Sequence, residues 1–218
     1  MKRSEINEYL RQAAIFFKTH NFQLPPFAFW PSDQWARLGP AADYLRKRGM
    51  GWDVTDFASG KFEQVGLLLF TLRNGVPDDP SKIFAEKIMM VRDRQRTPFH
   101  FHFHKTEDII NRGGGDLVLE LYNSDSQGQF ASTTVHVRCD GLERTVAPGE
   151  QMILKPGESI TLVPGLYHSF YAVDGHALVG EVSSVNDDKT DNRFHEPLPR
   201  FAKIMEDEPA LYPLCSDY

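Results

Sequence analysis

The sequence predicts an all-β fold, an antiparallel sandwich or barrel with helices ahead of it. From Gly49 onward the chain falls into short runs rich in Val, Ile, Leu, Phe and Thr, such as "QVGLLLFTL", "DLVLELY" and "ALVGEVSSV", punctuated by Gly, Pro, Asn and Asp. The near-regular spacing of these runs matches antiparallel sandwiches and barrels rather than alternating βα units. A length of 218 residues with 41% hydrophobic content suffices for one substantial core, burying about 70% of the unfolded surface at this size.

Residues 4–20 have helical spacing, with Ile6, Leu10, Ala14 and Phe17 on one face, Ser4 as N-cap and the prolines of "NFQLPP" as the stop. A second helical patch follows, where Ser32 caps "DQWARLG" and "PAADYLRKRG" runs from Pro40 to Gly49 with basic residues in its last turn. The strands then come in order as "QVGLLLFTL", "KIFAEKIMMV", "FHFHFH", "DLVLELY", "TTVHVR", "EQMILKPG", "SITLVPG", "HSFYAV" and "ALVGEVSSV", with "VPDDPSK" and "NSDSQGQ" as turns. The Pro-rich end "FHEPLPRFAKIMEDEPALYPLCSDY" wraps the barrel surface. The expected organisation is a single domain over 1–218, with a helical extension at 1–50, a barrel at 51–195 and a C-terminal wrap at 196–218.

Composition narrows the function classes. A net charge of −6 and a pI near 5.7 argue against nucleic acid or an anionic membrane as partner. Glu5, Glu8 and Arg11 interrupt any secretory signal, and no apolar run nears the roughly 20 residues that span a bilayer. Cys139 and Cys215 suit a reducing compartment and suggest neither a disulfide framework nor a thiolate metal site. The expectation is a soluble cytoplasmic protein.

The chemistry concentrates in "TPFHFHFHKTEDIINRGGG". On a strand His100, His102 and His104 share one face, and Phe99, Phe101 and Phe103 the other. Each two-residue step is about 6.6 Å, so neighbouring imidazoles reach one ion while the first and third stand about 13 Å apart. Glu107 supplies a third donor, and His168, after the Pro164-Gly165 turn, a fourth. Two neighbouring imidazoles with a carboxylate and no thiolate suit Mn²⁺, Fe²⁺, Co²⁺, Ni²⁺ or Zn²⁺. A face of solvated histidines explains a lone His better than it explains this constellation, because unpartnered buried imidazoles are costly. His20, His136, His176 and His195 lie near turns, chain ends or alternating valines and are weaker candidates.

These residues resemble the first motif of the cupin superfamily: His100, Phe101, His102, four residues, Glu107, six residues, Gly114. Pro164, Gly165, Leu166, Tyr167 and His168 are similar to its second motif, with one residue fewer between Pro and Gly and no Asn shortly after the His. The glycine usual before the first motif is absent from "VRDRQRTPF". Along the whole chain, "FAFWPSDQW", "GWDVTDFASGKF", "EKIMMVRDRQRTPFHFHFHKTEDIINRGGG", "PGESITLVPGLYHSF" and "GEVSSVNDDKTDNRF" resemble the D-lyxose isomerase family of cupins. That resemblance implies a jelly-roll barrel with helices packed outside, a homodimer, and a Mn²⁺-dependent aldose–ketose isomerase. Its metal ligands would be His100, His102, Glu107 and His168. Its substrates would be D-lyxose and D-xylulose, with D-mannose and D-fructose, interconverted through a metal-bound cis-enediol, with a metal-assisted hydride shift as the competing route.

The proton-transfer route needs a base at the C1–C2 face, which a hydride shift does not, and either route needs groups for the sugar oxygens. Glu107 and Glu181, the latter on an otherwise apolar strand, are candidate bases; Lys105 is a candidate proton shuttle. Lys87, Asp187, Asp191, Arg193 and Phe170 are candidate substrate contacts, with Asp188 in the same polar loop and Trp30 and Tyr171 as further apolar walls. Glu120 has the same ambiguity as Glu181 and more often faces solvent. The alternatives are a phosphosugar isomerase using Arg92, Arg94 and Arg96 for phosphate, an Fe²⁺ dioxygenase, and a non-catalytic sugar-binding cupin.

Overall fold

The computed structural model describes residues 1–77 and 79–218. Residue 78, inside the expected turn "VPDDPSK", lies outside the described residues. The helices are α1 (Arg3–Thr19), α2 (Ser32–Leu38) and α3 (Asp43–Lys47). The strands are β1 (Gly51–Thr55), β2 (Leu67–Arg73), β3 (Phe84–Val91), β4 (His100–His102), β5 (Glu107–Asn123), β6 (Val135–Cys139), β7 (Leu142–Val146), β8 (Gln151–Leu154), β9 (Ser159–Leu162), β10 (Leu166–Ser184) and β11 (Asn192–Phe194).

The strands join in one sheet whose pairings are antiparallel, in the order β1-β2-β3-β10-β5-β9-β6-β7, with β8 on β5 and β4 between β10 and β11. The two long strands hold it together. The first half of β10 pairs with the end of β5, and its second half pairs with the start of β5 and all of β3. "HSFYAV" and "ALVGEVSSV" are thus one strand, kinked by register shifts between Val173 and Ala177 and between Leu178 and Val179.

The glycine run explains how β5 follows that kink. Gly114 has φ +84°, and a Cβ there would stand 2.2 Å from the His176 carbonyl oxygen; at Gly115 it would stand 2.4 Å from the Val173 carbonyl oxygen. Only glycine lets the backbones approach so closely.

Side-chain alternation divides the core in two. Leu69, Met89, Val179, Ile109 and Leu119 face the barrel interior. Leu68, Phe70, Ile88, Met90 and Leu178 point the other way, onto Ile6, Leu10, Ala13 and Phe17 of α1. Strands β2 and β3 are buried on both faces because α1 covers the outer one, so they read as continuous apolar runs. The buried stripe of α1 includes Ala13 rather than Ala14.

Two expected caps are placed differently. Lys2 is the N-cap of α1, with Glu5 accepting its backbone N–H, and the Ser4 hydroxyl donates instead to Asp207. Pro31 precedes α2, and Ser32 is its first helical residue. Ser4 thus stands two positions past its N-cap and Ser32 one. The chain end returns to α1: Arg3, buried, donates to both Glu206 and Asp217. Among the described residues no helix is long and apolar enough to cross a membrane.

Candidate active site

Strand β4 is short, and its brevity shapes the site. It ends at His102 because the next residues turn away, tied to Asp191: the Phe103 N–H donates to its carbonyl, and the His104 and Lys105 N–H groups donate to its carboxylate. The expected six-residue ladder is therefore cut in half. His104 and Phe103 are exposed, and Lys105 is the buried side chain instead. The turn then brings Glu107 back at the start of β5.

His168 on β10 is the direct partner of His100 on β4. The His100 and His168 ring centroids are 4.2 Å apart, those of His100 and His102 5.2 Å, and those of His102 and His168 5.5 Å. One ring nitrogen from each lies within 4.8 Å of the others. Glu107 Oε1 stands 3.4 Å from His102 Nε2 and 3.2 Å from His168 Nε2. The structure thus brings the four expected ligands together on the barrel interior.

Hydrogen bonds orient two of the rings. The Nδ1 atoms of His100 and His168 lie 2.9 and 3.0 Å from the carbonyl oxygens of Pro98 and Leu166. A carbonyl only accepts, so Nδ1 carries the proton and Nε2 is left with its lone pair, the state of a metal-ligating histidine. Burial, and then the His168 and His102 rings, pushes His100 well below the ordinary imidazole value. His168 Nε2 is buried with no hydrogen-bond partner, since its 3.2 Å contact with Glu107 brings two acceptors together. A bound cation would pair these donors, and nitrogen and oxygen atoms so placed fit a first-row divalent ion.

A chain of charges leads away from these donors. The Lys105 ammonium lies 2.6 Å from Glu107 Oε2 and 2.9 Å from Glu181 Oε1. Lys87 lies 3.2 Å from Glu181 and donates to Asn186 Oδ1 at 2.6 Å. Burial opposes the charge on Lys105, but Glu107 and Glu181 outweigh it and hold the ammonium above its ordinary value. Burial likewise opposes the Glu107 carboxylate, and Lys105 and His102 outweigh it, keeping its pKa well below the usual range. Glu181 faces inward because, two residues along β10 from the core residue Val179, it shares that residue's face, and there it pairs directly with Lys87.

The four donors, Lys105, Lys87 and Glu181 line one cavity. Phe170, Leu67, Leu69 and Met89 form its apolar wall. Of the expected substrate contacts, Lys87 and Phe170 line it. Asp187, Asp191 and Arg193 do not. Asp187 caps the turn at Lys189 and Thr190, Asp191 holds the His104–Lys105 turn, and Arg193 donates to the Gln127 carbonyl over the Phe101 ring. Trp30 and Tyr171 also lie away from the cavity, against Phe27 and Arg96 respectively. Arg96 forms a two-pronged pair with Glu120, and Arg92 pairs with Glu63.

Sequence reasoning missed Arg200, which lines the cavity from the C-terminal segment, and named Asp188 beside it only as one of the polar-loop cluster. Arg200 pairs with Asp53 and lies 3.4 Å from Asp188. Burial works against the Asp188 carboxylate, and Arg200, Lys87 and Lys105 hold its pKa below the ordinary value nonetheless. A basic residue just after Pro199, in an irregular segment, has no period that assigns it to a face. An Arg in "EPLPRF" flanked by apolar residues was the only clue.

This antiparallel barrel carries its donor cluster and polar cavity on the inside, and its fold is that of solved sugar isomerases. The fold is shared with the L-ribose isomerase of Acinetobacter sp. DL28 (TM-score 0.60, 15% identity, covering 90% of this chain and 93% of that one). It is shared too with that of Cellulomonas parahominis (TM-score 0.57, 16% identity, covering 94% and 98%). The chain belongs to the D-lyxose isomerase family, whose model matches residues 1–218. It is 52% identical to a D-lyxose/D-mannose isomerase of Escherichia coli O157:H7 and 48% identical to one of Serratia proteamaculans. Both matches cover 100% of this chain and 98% of the relative.

Proposed function

We propose that the chain is a Mn²⁺-dependent isomerase that interconverts D-lyxose with D-xylulose, and D-mannose with D-fructose, through a cis-enediol. The observation that carries this reading is the buried, unpartnered Nε2 of His168 among donor atoms of His100, His102 and Glu107. These four side chains would hold the ion. Co²⁺, Fe²⁺, Ni²⁺ and Zn²⁺ suit the same donors. When bound, the ion supplies a Lewis acid and a template for two adjacent sugar oxygens.

The remaining steps belong to the protein. Glu181 takes the proton from C2 of the open-chain aldose and returns it to C1. Lys105, within 2.9 Å of both Glu107 and Glu181, carries the accompanying proton from O2 to O1. Lys87 positions Glu181, and Phe170 packs against the sugar's C–H surface while excluding water. Positioned proton transfer of this kind contributes about 10²–10⁴-fold.

The charge pattern favours an unphosphorylated sugar. Each cation lining the cavity, Lys87, Lys105 and Arg200, already has a carboxylate partner. Arg92 and Arg96 pair with glutamates elsewhere. The names of the two bacterial relatives support D-lyxose and D-mannose as the aldoses. The reading extends to a homodimer in a reducing cytoplasm, consistent with the two free cysteines; sedimentation and fractionation test those points.

The deciding experiment incubates chelator-stripped and Mn²⁺-reloaded protein with D-lyxose, D-mannose and glucose 6-phosphate, then assays ketose. Ketose from the two unphosphorylated aldoses, only after reloading, is expected. Ketose from the phosphate ester alone overturns the substrate assignment. Oxygen uptake in place of ketose identifies a dioxygenase.

A further inference from the structure

Arg200 is a charged cavity residue that this reaction scheme leaves without a task. It arrives on the C-terminal segment, where Pro197 and Pro199 restrict the backbone just before it. Its side chain is only 10% exposed. Nη2 serves Asp53 and Asp188, and the guanidinium lies 4.9 Å from the Phe201 ring. Nη1, by contrast, is buried and has no hydrogen-bond partner. A buried guanidinium N–H left unpaired is costly, and its usual explanation is a partner the protein does not itself contain.

The neighbouring contacts place this group at the far side of the site from the imidazoles. From Glu107 the chain of contacts passes to Lys105, then to Asn186 at 3.3 Å, then from Asn186 to Asp188 at 2.9 Å, and then to Arg200. A sugar whose O1 and O2 sit at the imidazole end extends its remaining carbons toward that pair. Arg200 offers donors and Asp188 offers acceptors. A hydroxyl group both donates and accepts, so the two side chains together match it.

We propose that Arg200, with Asp188, recognises the hydroxyls beyond C3 of the open-chain aldose and is a specificity-determining residue of the site, delivered by the C-terminal segment. This rests on the isomerase reading above. Nη1 donates to a distal hydroxyl oxygen, and that hydroxyl donates to Asp188. The contact is made in the ground state and the transition state alike, because the distal carbons do not react. Its loss therefore appears mainly in KM.

The test compares D-lyxose, 4-deoxy-D-lyxose and 5-deoxy-D-lyxose on the Mn²⁺-loaded wild type and on Arg200→Lys, which keeps the charge beside Asp53 and Asp188. Metal content and the thermal midpoint are measured for both. In the wild type, at least one deoxy sugar loses about 10–100-fold in kcat/KM, the range for a hydrogen bond with a charged partner. Arg200→Lys loses a similar factor on D-lyxose, mostly in KM, with metal content unchanged, and no longer discriminates against that deoxy sugar. If Arg200→Lys turns over D-lyxose normally, or keeps the wild-type discrimination, this inference is overturned while the isomerase reading stands. If wild type discriminates against neither deoxy sugar, it is likewise overturned. If wild type makes no ketose from any of the three sugars, the substrate reading itself fails and takes the inference with it.

Discussion

His100 and His168, 68 positions apart in sequence, are direct cross-strand partners whose rings lie 4.2 Å apart inside the barrel. Pairing of β4 with β10 thus assembles the donor cluster. His168→Ala should lose the bound ion, whereas His104→Ala should retain it, because His104 is exposed and contributes only a backbone N–H to the turn. Metal analysis after dialysis checks this; equal loss in both variants would mean that the ladder, and not the strand pairing, holds the ion.

Glu181→Gln should lower kcat by about 10²–10⁴-fold, the range for removing a positioned acid–base group, with KM and metal content little changed. The amide keeps the shape and one hydrogen-bonding oxygen for Lys87 and Lys105. Steady-state kinetics beside metal analysis tests it. A variant with near-normal kcat would transfer the proton-accepting role away from Glu181.

Asp188 gives a pH signature. Its folded pKa lies below the ordinary value of 3.8, so the folded state binds that proton less readily than the unfolded chain. The stabilisation is present in full above about pH 5 and fades as pH falls below the unfolded value toward the depressed folded one. Wild type should exceed Asp188→Asn in urea midpoint at pH 7, with the gap narrowing below about pH 4. A gap that stays constant down to pH 3 would contradict the charge-based origin.

Phe17 anchors α1 to the outer face of the sheet, stacked on Trp52 at 6.1 Å. Truncating a buried Phe leaves a cavity and costs about 3–5 kcal/mol. Phe17→Ala should lower the unfolding free energy by that amount, while ketose formation per folded molecule is little changed, since no α1 residue lines the active-site cavity. Denaturant titration paired with kinetics separates the two effects.

Gly114→Ala should destabilise more than an exposed strand substitution does. The added Cβ would meet the His176 carbonyl, a backbone atom that cannot swing aside, at a positive φ. Thermal melting gives the comparison, and a wild-type midpoint would show that the β5–β10 kink relaxes freely.

Much of the site was legible in the sequence because it depends on local spacing. Two histidines one strand step apart, a carboxylate just downstream and a histidine after a Pro-Gly turn are one-dimensional features, and the structure brings all four together. Glu181 was legible too, as a charge on an otherwise apolar strand. The polar loop was harder. Asp187, Asp191 and Arg193 looked equivalent to Asp188, yet only Asp188 lines the cavity. Loop side chains lack a period that assigns them to a face.

What the sequence by itself determined is the alternation that makes an antiparallel barrel and the set of nitrogen and oxygen donors placed inside it, since both follow from a residue's neighbours along the strand. Tertiary structure alone decided that Lys105 rather than His104 turns inward, because the turn is tied to Asp191, more than 80 residues away. It also decided that a C-terminal arginine closes the far side of the cavity. Such choices depend on which distant backbone and carboxylate groups remain to be satisfied once the strands have paired, and spacing along the chain does not encode that.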